Sequence, residues 1–195
     1  MFKTIKKPFI ISMNRMFSHT HKNTMKPLIV YTDGSFIQKP CSGGIGLYFP
    51  NNEISSLSLK YNVPFIPPTS QRCELLAIKY AFVIHNAWFN DKNIEIYTDS
   101  EYSINCLTTY YKTWINNGWI TNKGKPVKNQ DLLLPMTKYL TNNNNNNKIQ
   151  INYVPAHSKQ LDIHSVNNTI ADAYARRGHI MNNTTVPGCI SNPLV

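Results

Sequence analysis

The sequence predicts an α/β domain: a five-stranded mixed sheet whose first three strands form an antiparallel meander, with helices on both faces. Two observations lead there. Three strand-like runs come first, joined by short turn-rich links, and strand and helix patterns alternate afterwards. A meander followed by alternating elements makes a mixed sheet with helices packed on it. A third observation sets the scale: 195 residues at 42% hydrophobic content suit one domain with a core and some spare chain at the ends.

Residues 28–32 are apolar and β-rich and run into Asp33-Gly34-Ser35, which reads as a strand entering a turn. Residues 45–49, with Gly43 and Gly44 before them and Gly46 among them, close at Pro50 as a second strand. Residues 54–61, with Leu57 and Leu59 alternating against serines, make the third. The period then changes. Leu76, Tyr80, Val83 and Ala87 recur on one face of a helix over residues 71–87. Residues 93–98 form a fourth strand running into Asp99, and Ser100 is an N-cap for a helix to about residue 107. Residues 110–129 are aromatic, basic and turn-rich, and 131–140 are helical in pattern. The asparagine run at 142–147 reads as a solvated loop. Residues 149–154 make a fifth strand. Residues 168–177 make a last helix, with Ile170, Ala173, Tyr174 and Arg177 on one face. Residues 182–195 show no period and form a tail.

The net charge is +10, which favours a polyanionic partner. The charge is uneven: Lys3, Lys6, Lys7, Arg15, Lys22 and Lys26 stand in residues 1–27 without a single acid. That segment suits a mitochondrial presequence or a basic arm. No apolar run is long enough for a membrane helix. Cys41, Cys73, Cys106 and Cys189 form neither a C-x-x-C pair nor a zinc-spaced set. Scattered thiols fit a reducing compartment, with Cys73 and Cys106 expected in the core. The expected address is intracellular, nucleus or cytoplasm, with mitochondria if residues 1–27 act as a presequence.

The acids point to chemistry. Asp33 and Asp99 are read at strand ends, Glu74 in the first turn of the first long helix, and Asp172 in the first turns of the last helix. Crowded carboxylates pay a desolvation and repulsion cost unless a cation is present. Their oxygens are hard ligands suited to Mg²⁺ or Mn²⁺. Taken singly, each acid also reads as a turn residue, a loop acid or a partner of a helix dipole.

The segments Tyr31-Thr-Asp33-Gly-Ser35, Gln71-Arg-Cys-Glu74-Leu75, Tyr97-Thr-Asp99-Ser100, Val154-Pro-Ala-His157-Ser158 and Asn168-Thr-Ile-Ala-Asp172 stand in the order found in type 1 ribonucleases H. Over residues 28 to about 178 the chain resembles that family. The resemblance implies a ribonuclease H-like fold in a catalytic domain at 28–181. It implies a stand-alone enzyme without a hybrid-binding domain, cutting the RNA strand of RNA–DNA hybrids. By the same resemblance Asp33, Glu74, Asp99 and Asp172 are metal-binding carboxylates for two Mg²⁺ ions, with Mn²⁺ able to substitute. His157 matches a mobile active-site histidine. The implied products carry 5′-phosphate and 3′-hydroxyl ends.

Between Glu101 and Asp131 no acid occurs, while Tyr102, Tyr110, Tyr111, Trp114 and Trp119 interleave with lysines. Aromatics among positives suit a groove that tracks a nucleic-acid backbone, and one tryptophan is expected in the core. Trp114-Ile-Asn-Asn-Gly-Trp119-Ile-Thr resembles the family's basic protrusion. The resemblance makes Tyr102, Tyr110 and Trp114 DNA-channel aromatics, Thr69 and Asn129 a DNA-phosphate pocket, and Ser70 and Gln71 readers of RNA 2′-hydroxyls. The chain departs from the family at Pro67, where eukaryotic relatives often carry Arg. The His157–Asp172 spacing is also longer than usual, so Asp162 and His164 are expected in a solvated loop. A ribonuclease H domain derived from a reverse transcriptase or mobile element is the alternative reading, and a monomer is expected.

Overall fold

The computed structural model describes residues 26–141, 149–156 and 162–181. The basic segment 1–25, the asparagine run, His157 and the tail 182–195 lie outside them. The elements are β1 (Leu28–Ile37), β2 (Ser42–Tyr48), β3 (Leu57–Lys60), α1 (Ser70–Trp88), β4 (Ile94–Thr98), α2 (Glu101–Ile104), a π-helical turn (Asn105–Tyr110), α3 (Tyr111–Asn116), α4 (Gln130–Thr141), β5 (Ile149–Tyr153) and α5 (Ile163–Gly178). The sheet order is β3-β2-β1-β4-β5. β1, β2 and β3 pair antiparallel, while β4 lies parallel to β1 and to β5. The mixed sheet and the meander are as the sequence predicts.

Helices cover both faces, and β2 shows how. Successive strand residues point to opposite faces. A Cβ on Gly43 would strike Cys73 of α1, and one on Gly44 would strike the Ala175 backbone of α5. On the α1 face lies the apolar core. Val30, Ile45, Leu47 and Ile96 from the sheet meet Leu75, Ile78 and Phe82 of α1 and Leu133 of α4 there, together with Cys73 and Cys106. Phe82 is fully buried, so truncating it to Ala would cost about 3–5 kcal/mol. On the other face α5 lies almost against the strands. Gly44 and Gly46 meet Ala175 and Ala171, and Gly178 meets the Leu59 carbonyl and Gly44.

Several boundaries differ from the sequence reading, each for a local reason. β1 does not turn at Asp33-Gly34-Ser35. Its pairing with β2 continues from Tyr31–Tyr48 to Ile37–Ser42, which puts Asp33 inside the strand opposite Gly46. β3 is shorter than residues 54–61. α1 starts at Ser70 because the Thr69 hydroxyl caps it, accepting from the Arg72 N–H at 3.2 Å, so Glu74 falls in the second turn. Its buried residues include Cys73, Leu75, Ile78, Ala81 and Phe82, whereas Ala87 is exposed. The helix after Ser100 does not stop near 107. It passes through the π-helical turn, where the Tyr111 N–H donates to the Cys106 carbonyl, and continues to Asn116.

α5 begins five residues before the predicted start. Asp162 caps it, accepting from the His164 and Ser165 N–H groups at 2.8 and 3.0 Å. His164 is therefore helical and Asp162 its cap rather than both lying in a loop, though both are exposed as expected, and Asp172 sits in mid-helix. The buried face of α5 is Asn168, Ala171, Ala175 and Gly178 rather than Ile170, Ala173, Tyr174 and Arg177. Close approach to a glycine strand selects the small side chains.

Candidate active site

β1 and β4 run parallel, and their pairing ends at Tyr31–Tyr97. Asp33 and Asp99 lie two residues beyond that last pair, on the face that α5 covers. The carboxyl end of parallel strands is where open α/β sheets bind ligands. Glu74 reaches the same point from α1 because Gly34 has no side chain: a Cβ there would strike the Cys73 and Glu74 backbone. Ligand oxygens of Asp33, Glu74 and Asp99 all lie within 4.8 Å of one another.

These carboxylates are poorly solvated. Asp33 is 6% exposed and Glu74 9%. Burial, then the charges of Asp99 and Asp172, push the Asp33 carboxyl from 3.8 up to about 7. Burial and the neighbouring Asp33 push Glu74 well above its ordinary value. The Gly34 N–H opposes both shifts. Glu74 Oε2 is buried with no hydrogen-bond partner. Hard oxygens crowded together, one of them orphaned, fit a divalent cation.

α5 adds a stripe at four-residue spacing. Asn168 Nδ2 donates to Asp99 Oδ2 at 3.1 Å, while its Oδ1 is buried and unpaired. Asp172 lines the same cleft, but it is not among the three clustered acids. Its Oδ1 accepts from Arg176 Nε at 2.9 Å. The cleft, of about 630 Å³, continues past Arg176 to Ser35, Phe36, Ile37, His179 and Ile180. His179 Nδ1 and Nε2 lie 2.9 and 3.0 Å from the hydroxyls of Ser42 and Ser35.

The other predicted site residues gather at the start of α1 and along the chain from 102 to 129. Thr69, Ser70 and Gln71 are exposed, at the cap and first turn of α1, just before Glu74. Asn129 holds a left-handed backbone, φ 59°. Its Oδ1 accepts from Arg72 Nη1 at 3.2 Å and its Nδ2 donates to the Tyr102 hydroxyl at 2.9 Å. Arg72, only 5% exposed, also makes a two-pronged pair with Asp131 and donates from Nε to the Tyr61 hydroxyl at 2.8 Å. Arg72 thus ties Asn129 to the start of α1. Trp114 and Trp119 are both half-buried and pack against the apolar core, so the expected core tryptophan is met in part. Tyr110, Trp114 and Trp119 form a row with ring centroids 5.6 and 5.8 Å apart. Tyr110 and Trp114 line a groove with Lys123, Lys125 and Lys128.

Sequence reasoning missed Arg72, Asp131, Asn168, Arg176 and the role of His164. His164 Nδ1 lies 2.9 Å from the Tyr31 hydroxyl, and its ring stacks on Tyr97 at 4.6 Å. The four-residue spacing of Asn168, Asp172 and Arg176 was the available signal for the α5 stripe.

The fold and the carboxylate cleft define an α/β protein with a site suited to a divalent cation. Residues 25–180 match the model of the RNase H family. A probable ribonuclease H from Acanthamoeba polyphaga mimivirus is 36% identical over 136 residues, which are 69% of this chain and 57% of that protein. Ribonuclease HI of Haemophilus influenzae is 32% identical over 155 residues, 78% of this chain and 90% of that protein. A foamy viral protease-reverse transcriptase, solved in complex with dsDNA, superposes with a TM-score of 0.65. It is 24% identical and is covered over 99% of its solved chain by 83% of this one, a likeness of fold. The chain belongs to the RNase H family. Its place is with the ribonuclease H enzymes, nucleases of the hydrolase class.

Proposed function

We propose that this protein is an endoribonuclease that hydrolyses the RNA strand of RNA–DNA hybrids, using two divalent cations and leaving 5′-phosphate and 3′-hydroxyl ends. The observation that carries the reading is the cluster of Asp33, Glu74 and Asp99 within 4.8 Å, with Glu74 Oε2 buried and unpartnered. Mg²⁺ is the natural occupant and Mn²⁺ a substitute, because the donors are carboxylate oxygens. Asp33, Glu74, Asp99 and Asp172 would hold the ions. Bound cations supply the charge that activates the attacking water and stabilises the departing 3′-oxygen.

The chain's own residues do the rest. Asn168 orients the Asp99 carboxylate through its 3.1 Å hydrogen bond. Ser70 and Gln71, exposed at the start of α1, read the 2′-hydroxyls that mark the RNA strand. Thr69 and Asn129 hold a phosphate of the DNA strand, with Asn129 fixed by Arg72 and Tyr102. Tyr102, Tyr110 and Trp114 track the DNA strand by packing on it, and the groove lysines neutralise its phosphates. His157 assists water handling or product release.

An end-labelled RNA–DNA hybrid incubated with Mg²⁺ tests this directly. The RNA strand should be cut internally, while duplex RNA, duplex DNA and single strands stay intact. Equal cutting of duplex DNA, or cutting that persists in excess chelator, would sink the reading.

A further inference from the structure

We propose that Arg176 binds a phosphate of the strand being cut, and that it becomes free to do so when a divalent cation takes Asp172 from it. The proposal rests on the reading of the cleft as a hybrid-cutting site. It goes beyond that reading in assigning Arg176 a substrate contact and in making that contact depend on metal.

The starting point is charge. Asp33, Glu74, Asp99 and Asp172 all line the cleft, and among the described residues lining it Arg176 is the sole lysine or arginine. A polyanion entering four carboxylates meets repulsion even after cations bind, because the phosphates flanking the cut bond carry charge too. One fixed cation at the mouth offsets that repulsion where it is largest.

Geometry gives Arg176 the reach. Asn168, Asp172 and Arg176 follow one another at four-residue steps, so they form one stripe along α5. At one end Asn168 touches Asp99. At the other end Arg176 stands where the cleft continues to Ser35, Phe36 and His179. Its side chain is 64% exposed, and the hydrogen bond described for it uses Nε alone. Once Asp172 is taken from Nε, the whole planar fork can turn to a phosphate, the geometry for which arginine is suited.

The Asp172 contact supplies the coupling. Its carboxylate is held by Arg176 at 2.9 Å and does not join the three clustered acids. An exposed ion pair four residues apart on a helix is weak, so a divalent cation readily displaces the guanidinium. The displaced fork then lies beside the bound cation, at the edge of the cleft where a phosphodiester must pass. Metal binding and strand binding should therefore favour one another through this residue.

Arg176→Gln and Arg176→Lys test the idea by binding, without turnover. Mg²⁺ titrated alone into the free protein should bind Arg176→Gln about two- to fivefold more tightly than wild type, since the competitor for Asp172 is gone. Hybrid affinity is measured twice, in chelator and with Ca²⁺ as a flexible oxygen-seeking stand-in. In chelator the two proteins should bind alike. With Ca²⁺ the wild type should bind about tenfold more tightly than Arg176→Gln, with a salt slope steeper by about one unit. Arg176→Lys should recover most of that difference. Equal hybrid affinity of wild type and Arg176→Gln in Ca²⁺ would overturn the proposal, as would the same deficit with and without metal. If wild type itself showed no preference for the hybrid over duplex DNA, the hybrid-cutting reading would fall first. Arg176 is a surface residue, so thermal melting of the variants should stay within a few degrees of wild type and exclude misfolding as the cause.

Discussion

In the cleft, Asp33 and Glu74 are stripped of water and crowded by Asp99, and Glu74 keeps one oxygen with no partner at all. In the groove, Tyr110 is nearly half exposed, and the lysines at 123, 125 and 128 stand at the surface. Both regions serve the same polyanion under the proposed function, but the groove offers its own positive charge, whereas the cleft is built of acids that would act through a bound cation. The difference separates strength from precision. Exposed cations and flat rings hold any backbone loosely and without regard to sequence. Buried acids gathered at one point would instead fix a cation in one place and so direct it at one bond.

The largest expected effect breaks the cleft alone. Asp99→Asn should reduce hybrid cleavage below about a tenth of the wild-type rate, the tenfold-per-1.4 kcal/mol scale setting that threshold. It should leave folding and hybrid binding intact, since a negative charge facing a polyanion is removed. Single-turnover cleavage and a binding titration on the same preparation check both halves.

The next prediction concerns protons in the metal-free cleft. Asp33 keeps its proton in the fold up to about 7, while the unfolded chain releases it near 3.8. Between those values the folded state binds more protons, so stability of the metal-free protein falls as pH rises through that window. Glu74 is shifted in the same direction and adds to the fall. Mg²⁺ should relieve it, raising the melting temperature by several degrees more at pH 8 than at pH 5. An equal gain at both pH values would mean that the carboxylate cluster is not where the ion binds.

The groove should respond in a different currency. Trp114→Ala should raise KM for hybrids much more than it lowers kcat, because the ring packs on the strand away from the reacting bond. An unchanged KM in a folded protein would make Trp114 a packing residue, supported by Trp119 at 5.8 Å. The smallest effect is that of a single charge. Lys125→Ala should weaken hybrid binding uniformly across sequences and reduce the salt slope by about one unit. A sequence-dependent loss would contradict a pure phosphate contact.

What could be read in advance follows the range of the forces involved. The meander, the parallel strands and the burial of Cys73 and Cys106 follow from local apolar patterning, and they are as expected. Asp33 was misplaced because Asp-Gly-Ser has the composition of a turn. Only the pairing with Gly44–Gly46, a non-local fact, carries the strand through it. The start of α5 was hidden because it buries Ser165 and Asn167 and leaves Ile163 and Val166 exposed, and the helix rests on a cap by Asp162. Its buried face was misassigned for a related reason. Ile170 and Tyr174 are the larger apolar side chains, but the sheet beneath admits only Ala171, Ala175 and Gly178. Arg72 carried no signal in the sequence, because its burial depends on Asp131 and Asn129, fifty-seven or more positions away. The grouping of the four acids was legible through resemblance rather than through spacing. The structure brings three of them together and leaves Asp172 paired with Arg176.

The glycine seam between α5 and β2 also acts as a mechanical gauge. Where two elements meet through side chains, rotamers absorb small errors and the separation can drift. Here Gly44, Gly46 and Gly178 bring backbone against backbone, so the separation is set by hard contact and has little play. Asp172 and Arg176 each follow Ala171 and Ala175 by one residue, and so inherit that tolerance. A methyl group at Gly44 or Gly46 would act as a shim. It would lift the helix as one body and carry the whole stripe away from Asp33, while the apolar core on the opposite face stayed packed.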